Sequence, residues 1–213
     1  MHFRQLMMGA AIAVAMGHAQ AATVFSEGFD NVSALAGAGW VQTNNSDSPS
    51  QPWFQGNSGI FASFAGAANA YAAANFLSSG LETGKVSNWL IMPTLSLAAG
   101  STLSFYARTE SALFADGLTV RLSPTGSTTT TDFTTTLLTL PSLNTGWTQY
   151  TVALPVAAGA RIAFEYNVAS AINADYIGLD SVAVNVAAIP EPASAALLGL
   201  GLAGLVLRRR VAT

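Results

Sequence analysis

Carboxylates carry most of the chemistry open to this chain. It has no cysteine, and both histidines, His2 and His18, lie near the N-terminus. Past them there is no thiol nucleophile, no imidazole base and no nitrogen or sulfur ligand for zinc. Oxygen chemistry remains. Glu27 and Asp30 precede the bulk of the chain and Asp180 sits near its end. In a sandwich whose first and last strands are neighbours these acids converge, and Asn31 adds an amide oxygen. Calcium takes about six to eight oxygens of this kind. Glu27, Asp30 and Asp180 are therefore the candidate metal ligands and Ca2+ the candidate cofactor, although no D-x-D-x-D loop accompanies them. A second chemistry is glycoside hydrolysis by paired acids, for which Glu110, Asp116 and Glu165 are available. A retaining enzyme needs two carboxyls about 5 Å apart. No such pair is evident and Glu165 falls at an outward strand position, so no catalytic residue is assigned. The third chemistry is stacking. Trp40, Trp53 and Phe54 stand among Gly, Asn and Ser, where exposed rings meet the apolar C–H face of a sugar. The same rings can instead fold back over the sandwich, which is the favoured placement.

The elements that must hold these residues read as strands. Leu118, Val120 and Leu122 alternate with Thr119, Arg121 and Ser123. Tyr150, Val152 and Leu154 form a second inward row, ended by Pro155. Ile162, Phe164, Tyr166 and Val168 form a third, with Arg161, Ala163, Glu165 and Asn167 outward. Leu103 and Phe105 give a fourth. A period of two places each row on one sheet face, against a facing sheet. Val24 to Phe29 reads as the first strand, Gly37 to Asn57 as a loop, and Ala65 to Asn75 as an alanine-rich strand. The threonines from Ser127 to Thr136 read as a solvated loop entering an edge strand. In Tyr176 to Val186, Ile177 and Leu179 share one parity while Val182, Val184 and Val186 share the other. Either that strand is central and covered on both faces, or its phase slips near Asp180 through a bulge. Trp89, ahead of Leu90, Ile91 and Pro93, reads as core.

Both ends of the 213-residue chain read as processing segments. Arg4, an apolar run from Leu6 to Met16 and the small-residue site Ala19-Gln20-Ala21 make residues 1–21 a secretory signal peptide, implying the Sec translocon. Between the ends, four cations face ten acids, a formal charge of −6. That balance repels phosphate backbones and argues against nucleic acid. At the other end, Pro190-Glu191-Pro192 breaks any strand. Ala193 to Leu207 would be a helix about 22 Å long, short of the roughly 30 Å hydrocarbon core. Arg208, Arg209 and Arg210 follow, and cations there stay cytoplasmic. The segment reads as a stop-transfer transmembrane helix that holds the chain at the inner membrane.

Two resemblances follow from these residues. The tail, with Pro190, Glu191 and Pro192, its apolar helix and Arg208 to Arg210, closely resembles the PEP-CTERM sorting signal of Gram-negative bacteria. That implies an exosortase as processing partner and delivery to the cell envelope or extracellular polysaccharide matrix. Ser87, Asn88, Trp89, Leu90, Ile91 and Pro93, with Phe25 to Asn31 and Tyr176 to Val184, resemble choice-of-anchor J domains, relatives of cleaved adhesins. The acidic residue that the family carries between Asn88 and Trp89 is missing. The resemblance implies a jelly-roll β-sandwich of two antiparallel sheets, no catalytic residues, and a calcium site between the end strands as in many relatives. The expectation is thus an all-β domain over 22–188, flanked by the signal peptide and by a sorting segment over 189–213. Its expected role is a non-catalytic surface or biofilm-matrix protein that adheres or binds exopolysaccharide. The alternatives are a carboxylate-dependent glycan-active enzyme and a structural matrix component without a specific ligand.

Overall fold

The computed structural model describes residues 22–186. The expected signal peptide over 1–21, Pro190 to Pro192 and Arg208 to Arg210 lie outside them. In chain order the strands are β1 (Ala22–Glu27), β2 (Val41–Asn44), β3 (Phe54–Gln55), β4 (Ala72–Asn75), β5 (Val86–Ile91) and β6 (Leu95–Leu97). Then come β7 (Thr102–Thr109), β8 (Gly117–Ser123), β9 (Thr135–Leu140), β10 (Thr148–Ala153), β11 (Ala157–Val168) and β12 (Tyr176–Val186). One sheet runs β10-β7-β12-β4-β3, with β1 also on β12. The other runs β2-β5-β11-β8-β9, with β6 also on β11. Every pairing is antiparallel, and from β9 to β12 the chain alternates between sheets. This is a jelly-roll β-sandwich.

The four alternating rows meet as their period requires. Leu103 and Phe105 of β7 face Leu118, Val120 and Leu122 of β8 and Ile162, Phe164 and Tyr166 of β11 in one apolar core. Phe105 meets Phe164 edge-on, with ring centroids 5.1 Å apart. Each such buried side chain contributes about 1.5–3 kcal/mol relative to exposure.

In β12 both readings of the strand hold together. It is central, with β7 on one flank and β4, then β1, on the other. Its register against β7 also shifts between Asp180 and Ala183, and Ser181 takes the left-handed conformation at φ 49°. One extra residue turns the following side chains over. Ile177, Leu179, Val182 and Val184 therefore all reach the core.

Other boundaries differ from the sequence reading. The region expected as a loop over Gly37 to Asn57 contains β2, β3 and the end of a 3-10 turn, Val32–Ala38. Asn31 caps that turn by accepting from the Ser33 amide. Of the strand expected over Ala65 to Asn75, only Ala72–Asn75 is extended. The residues before it fold over the outer face of the first sheet, where Phe61, Tyr71 and Tyr176 pack with Phe54 and Trp147. Glu165 faces outward from its sheet as its strand position requires, yet it is buried, because Phe133 packs with Trp89, Ile91 and Ala163 on that face and Ser87 and Arg121 hold the carboxylate.

Candidate functional site

Several of the residues singled out by type prove to be structural. Trp40 and Trp53 are 3% and 2% exposed, so neither presents a ring to a ligand. Trp40 lies between Phe25 and Phe29, and the Trp53 indole N–H donates to the Asn88 carbonyl at 3.1 Å. Their polar neighbours are turn residues that bring the rings inward. Phe54 is half-buried against Tyr176, at 5.8 Å between centroids. The rings thus fold back over the sandwich, the placement favoured from the sequence over stacking on a ligand: two members belong to the core and the third to the outer aromatic cluster.

Among the candidate metal ligands, Asp180 is fully buried. One of its oxygens accepts the amides of Phe64 and Ala65 at 2.8 and 3.1 Å, and the other the Ser181 hydroxyl at 3.2 Å. Burial pushes its carboxyl above the usual range, against the pull of those donors. Glu27 accepts the Phe29 amide at 2.7 Å. Asp30 is exposed beside Gly66. Among the described residues no group of three or more Asp, Glu, His or Cys side chains could hold a metal ion. Donor-satisfied Asp180 fits a role in tying the Phe64–Ala65 segment to β12, and the structure gives the calcium expectation no support.

The acids considered for hydrolysis are likewise committed. Asp116 is fully buried and accepts from the Tyr166 hydroxyl at 2.6 Å, the Thr109 hydroxyl at 2.6 Å and the Asp175 amide at 2.9 Å. Burial and this carboxylate hold the Tyr166 phenol well above its usual value. Glu165 pairs with Arg121 at 2.7 Å and accepts from the Ser87 hydroxyl at 2.8 Å. Arg121 in turn lies over the Trp89 ring at 5.5 Å. Glu110 is exposed.

What the sequence reading did not single out is a groove at one end of the sandwich. Residues from four places in the sequence line it: Ser50, the segment Phe76 to Glu82, Phe114, and the segment Ala171 to Asp175. The two segments form its main walls. The Phe76 segment begins in a 3-10 turn, Phe76–Ser78, capped where the Asn75 side chain accepts the Leu77 amide at 3.0 Å. The Ala171 segment begins in another 3-10 turn, Ala171–Asn173, which has no side-chain cap. Backbone bonds join the walls: the Phe76 amide donates to the Asp175 carbonyl at 3.0 Å, and the Ala171 amide to the Gly84 carbonyl at 2.8 Å. Asn75 and Tyr176 are register partners in β4 and β12, so the groove forms where this pair of strands gives way to turns.

Its volume is about 660 Å³. Phe76, Leu77, Leu81 and Ile172 line it while remaining 45%, 48%, 52% and 52% exposed. These apolar side chains therefore remain in contact with water on a concave surface. Ser50, Ser79, Glu82 and Asp175 supply hydroxyl and carboxylate groups. Asp175 is raised to about 6, first by burial and then by the neighbouring Glu110 and Asp116 carboxylates. No local pattern announces the groove, because each wall contributes only a few residues.

The fold is a jelly-roll β-sandwich, and cleaved adhesin domains of solved structure are similar to it. The K1 cleaved adhesin domain of Lys-gingipain from Porphyromonas gingivalis W83 is similar at TM-score 0.60 and 26% identity, over 76% of this chain and 97% of that one. The K3 domain of the same protein superposes at TM-score 0.55 with 23% identity, over 78% and 99%. The K2 domain does so at 0.58 and 21%, over 75% and 96%. Residues 188–210 match the family model of the PEP-CTERM protein-sorting motif, as the tail predicted. That motif marks an exported protein processed by an exosortase at the membrane for the cell surface. No curated protein matches the chain. Among the described residues no helix is long and apolar enough to cross a membrane; Ala193 to Leu207 lies outside them.

Proposed function

We propose that this exported protein is a non-catalytic adhesion module of the cell envelope or extracellular biofilm matrix, and that its end groove binds exopolysaccharide. The carrying observation is the cluster of water-exposed Phe76, Leu77, Leu81 and Ile172 lining one groove beside Ser50, Ser79, Glu82 and Asp175. A sugar ring has an apolar C–H face that packs on such side chains. Its hydroxyls donate to carboxylates and exchange hydrogen bonds with serine. The commitment of Asp116 and Glu165 to internal partners supports binding without hydrolysis. Residues 22–188 form the binding domain, and residues 1–21 and 189–213 direct export through the Sec translocon and exosortase processing.

The test is binding of the processed protein to exopolysaccharide isolated from its host, by calorimetry. Saturable binding is expected, weakened about tenfold or more by Phe76→Ala. The variant's thermal melt should stay close to the wild type's, since the ring is half in water. Binding that persists unchanged in Phe76→Ala and in Ile172→Ala would move the ligand away from the groove. A folded protein that binds no glycan would favour a structural matrix component.

A further inference from the structure

The charge on the groove has one sign. Two carboxylates line it, Glu82 and Asp175, and no lysine or arginine does. Three of the domain's cations are engaged elsewhere. Arg121 pairs with Glu165, Arg161 donates to the Gly126, Gly39 and Met92 carbonyls, and Arg108 lies over the Phe61 ring. Lys85, three residues beyond Glu82, is exposed outside the lining.

Asp175 also differs from the other acids that the fold shields. Glu27, Asp116, Glu165 and Asp180, none of them exposed, each accept at least one hydrogen bond. The Asp175 amide donates to Asp116 at 2.9 Å, but among the described residues no hydrogen bond reaches its half-buried carboxylate. What surrounds it is like charge, from Glu110 and Asp116. A partly desolvated carboxylate without donor or counter-ion is unfavourable. A cation entering the groove relieves it.

The main chain is in the opposite condition. The amides of Phe76, Leu77, Leu81, Ala171, Ala174 and Asp175 all donate within the protein. Both walls start in 3-10 turns, not free strand edges, so an extended peptide gains no ladder of main-chain bonds here. Apolar surface and unpaired negative charge are what a ligand finds. A sugar ring meets the first with its C–H face, and an amino group on that ring meets the second.

Resting on the glycan reading of this groove, we infer that it selects an amino-sugar polymer with free ammonium groups, over neutral and uronic-acid glycans and over basic peptides. Phe76, Leu77, Leu81 and Ile172 receive the ring faces, and Glu82 and Asp175 receive the ammonium groups.

The experiment is calorimetric titration of the processed protein, at slightly acid pH, with four probes of equal length: a glucosamine hexasaccharide, its N-acetylated counterpart, a galacturonate hexasaccharide and hexalysine. The glucosamine probe is expected to bind about fivefold or more tightly than the acetylated one. Added salt should narrow that gap, and galacturonate should bind weakest. Glu82→Gln with Asp175→Asn should bring the glucosamine and acetylated affinities together. Asp132→Asn, an exposed acid that does not line the groove, should keep them apart. Equal affinity of the wild type for those two probes, both weakened by Phe76→Ala, overturns the inference and leaves the glycan groove standing. So does failure of both to bind where the host's exopolysaccharide binds. A gap that survives in the Glu82→Gln, Asp175→Asn protein, or hexalysine binding more tightly than the glucosamine probe, also overturns the inference. Glucosamine binding that Phe76→Ala and Ile172→Ala leave unchanged overturns the inference and the groove together.

Discussion

Individual carboxylates show how position alters one chemistry. Asp175, Asp116 and Asp180 are the same side chain in three settings. Asp116 is held by three donors, Asp180 ties a loop to a strand, and Asp175 stands half-buried at the groove with other acids nearby. Asp175 is raised from 3.8 to about 6 in the folded protein. A raised carboxyl means the folded state holds the proton more tightly than the unfolded chain does. Its contribution to stability is present below about pH 4 and is lost as pH rises to about 6. Asp175→Asn should therefore raise the melting temperature at neutral pH and leave it nearly unchanged under acid conditions. It should also flatten the wild type's decline between those values. Melts of both proteins across that range check this. An unchanged profile in Asp175→Asn would show that the carboxyl titrates normally.

Strands explain features that single residues do not. The motif YIGLDSVAV needs its glycine because Gly178 lies under aromatic rings. A Cβ there would stand 2.7 Å from the Trp147 ring and 2.9 Å from that of Phe61. Those rings belong to the outer cluster, with Arg108 over Phe61 at 4.0 Å. Gly178→Ala should cost about 1–3 kcal/mol through overpacking, read from chemical denaturation. Gly178→Ala combined with Phe61→Leu should recover part of that loss if the cause is the ring. The alternating rows of β7, β8 and β11 were readable in sequence because period two is a local property. Burial on their reverse faces was not. Nothing near Ala163 indicates that Phe133, thirty residues earlier, will pack over that face of β11. Likewise the Gly-, Asn- and Ser-rich surroundings of Trp40 and Trp53 look solvated, yet they are the turns that aim these rings inward.

At the scale of the molecule, a folded domain precedes a linear sorting signal. The PEP-CTERM match over residues 188–210 implies a chain that pauses at the membrane and is then cut. Replacing Pro190 and Pro192 with alanine should leave full-length protein in the membrane fraction and deplete the surface fraction. Mass spectrometry of the C-terminus across cell fractions measures the outcome. Surface protein that still ends in Arg208 to Thr213 would show that no cleavage is needed.

The tail and the strand rows could be read directly from residue order, since a sorting motif and a period of two are contiguous patterns. The chain's lack of cysteine, and of histidine beyond His18, likewise narrowed its chemistry before any fold was known. Even the slip in β12 was visible as a change of parity at Asp180. The groove and its unpaired acid needed the fold. Phe76, Phe114 and Ile172 become neighbours only when β4, the turn before β8, and the entry to β12 end together. Asp175 comes beside Glu110 and Asp116 only once strand order is set. Long-range pairing makes such surfaces, and no short window of residues encodes which acids will be left without a donor.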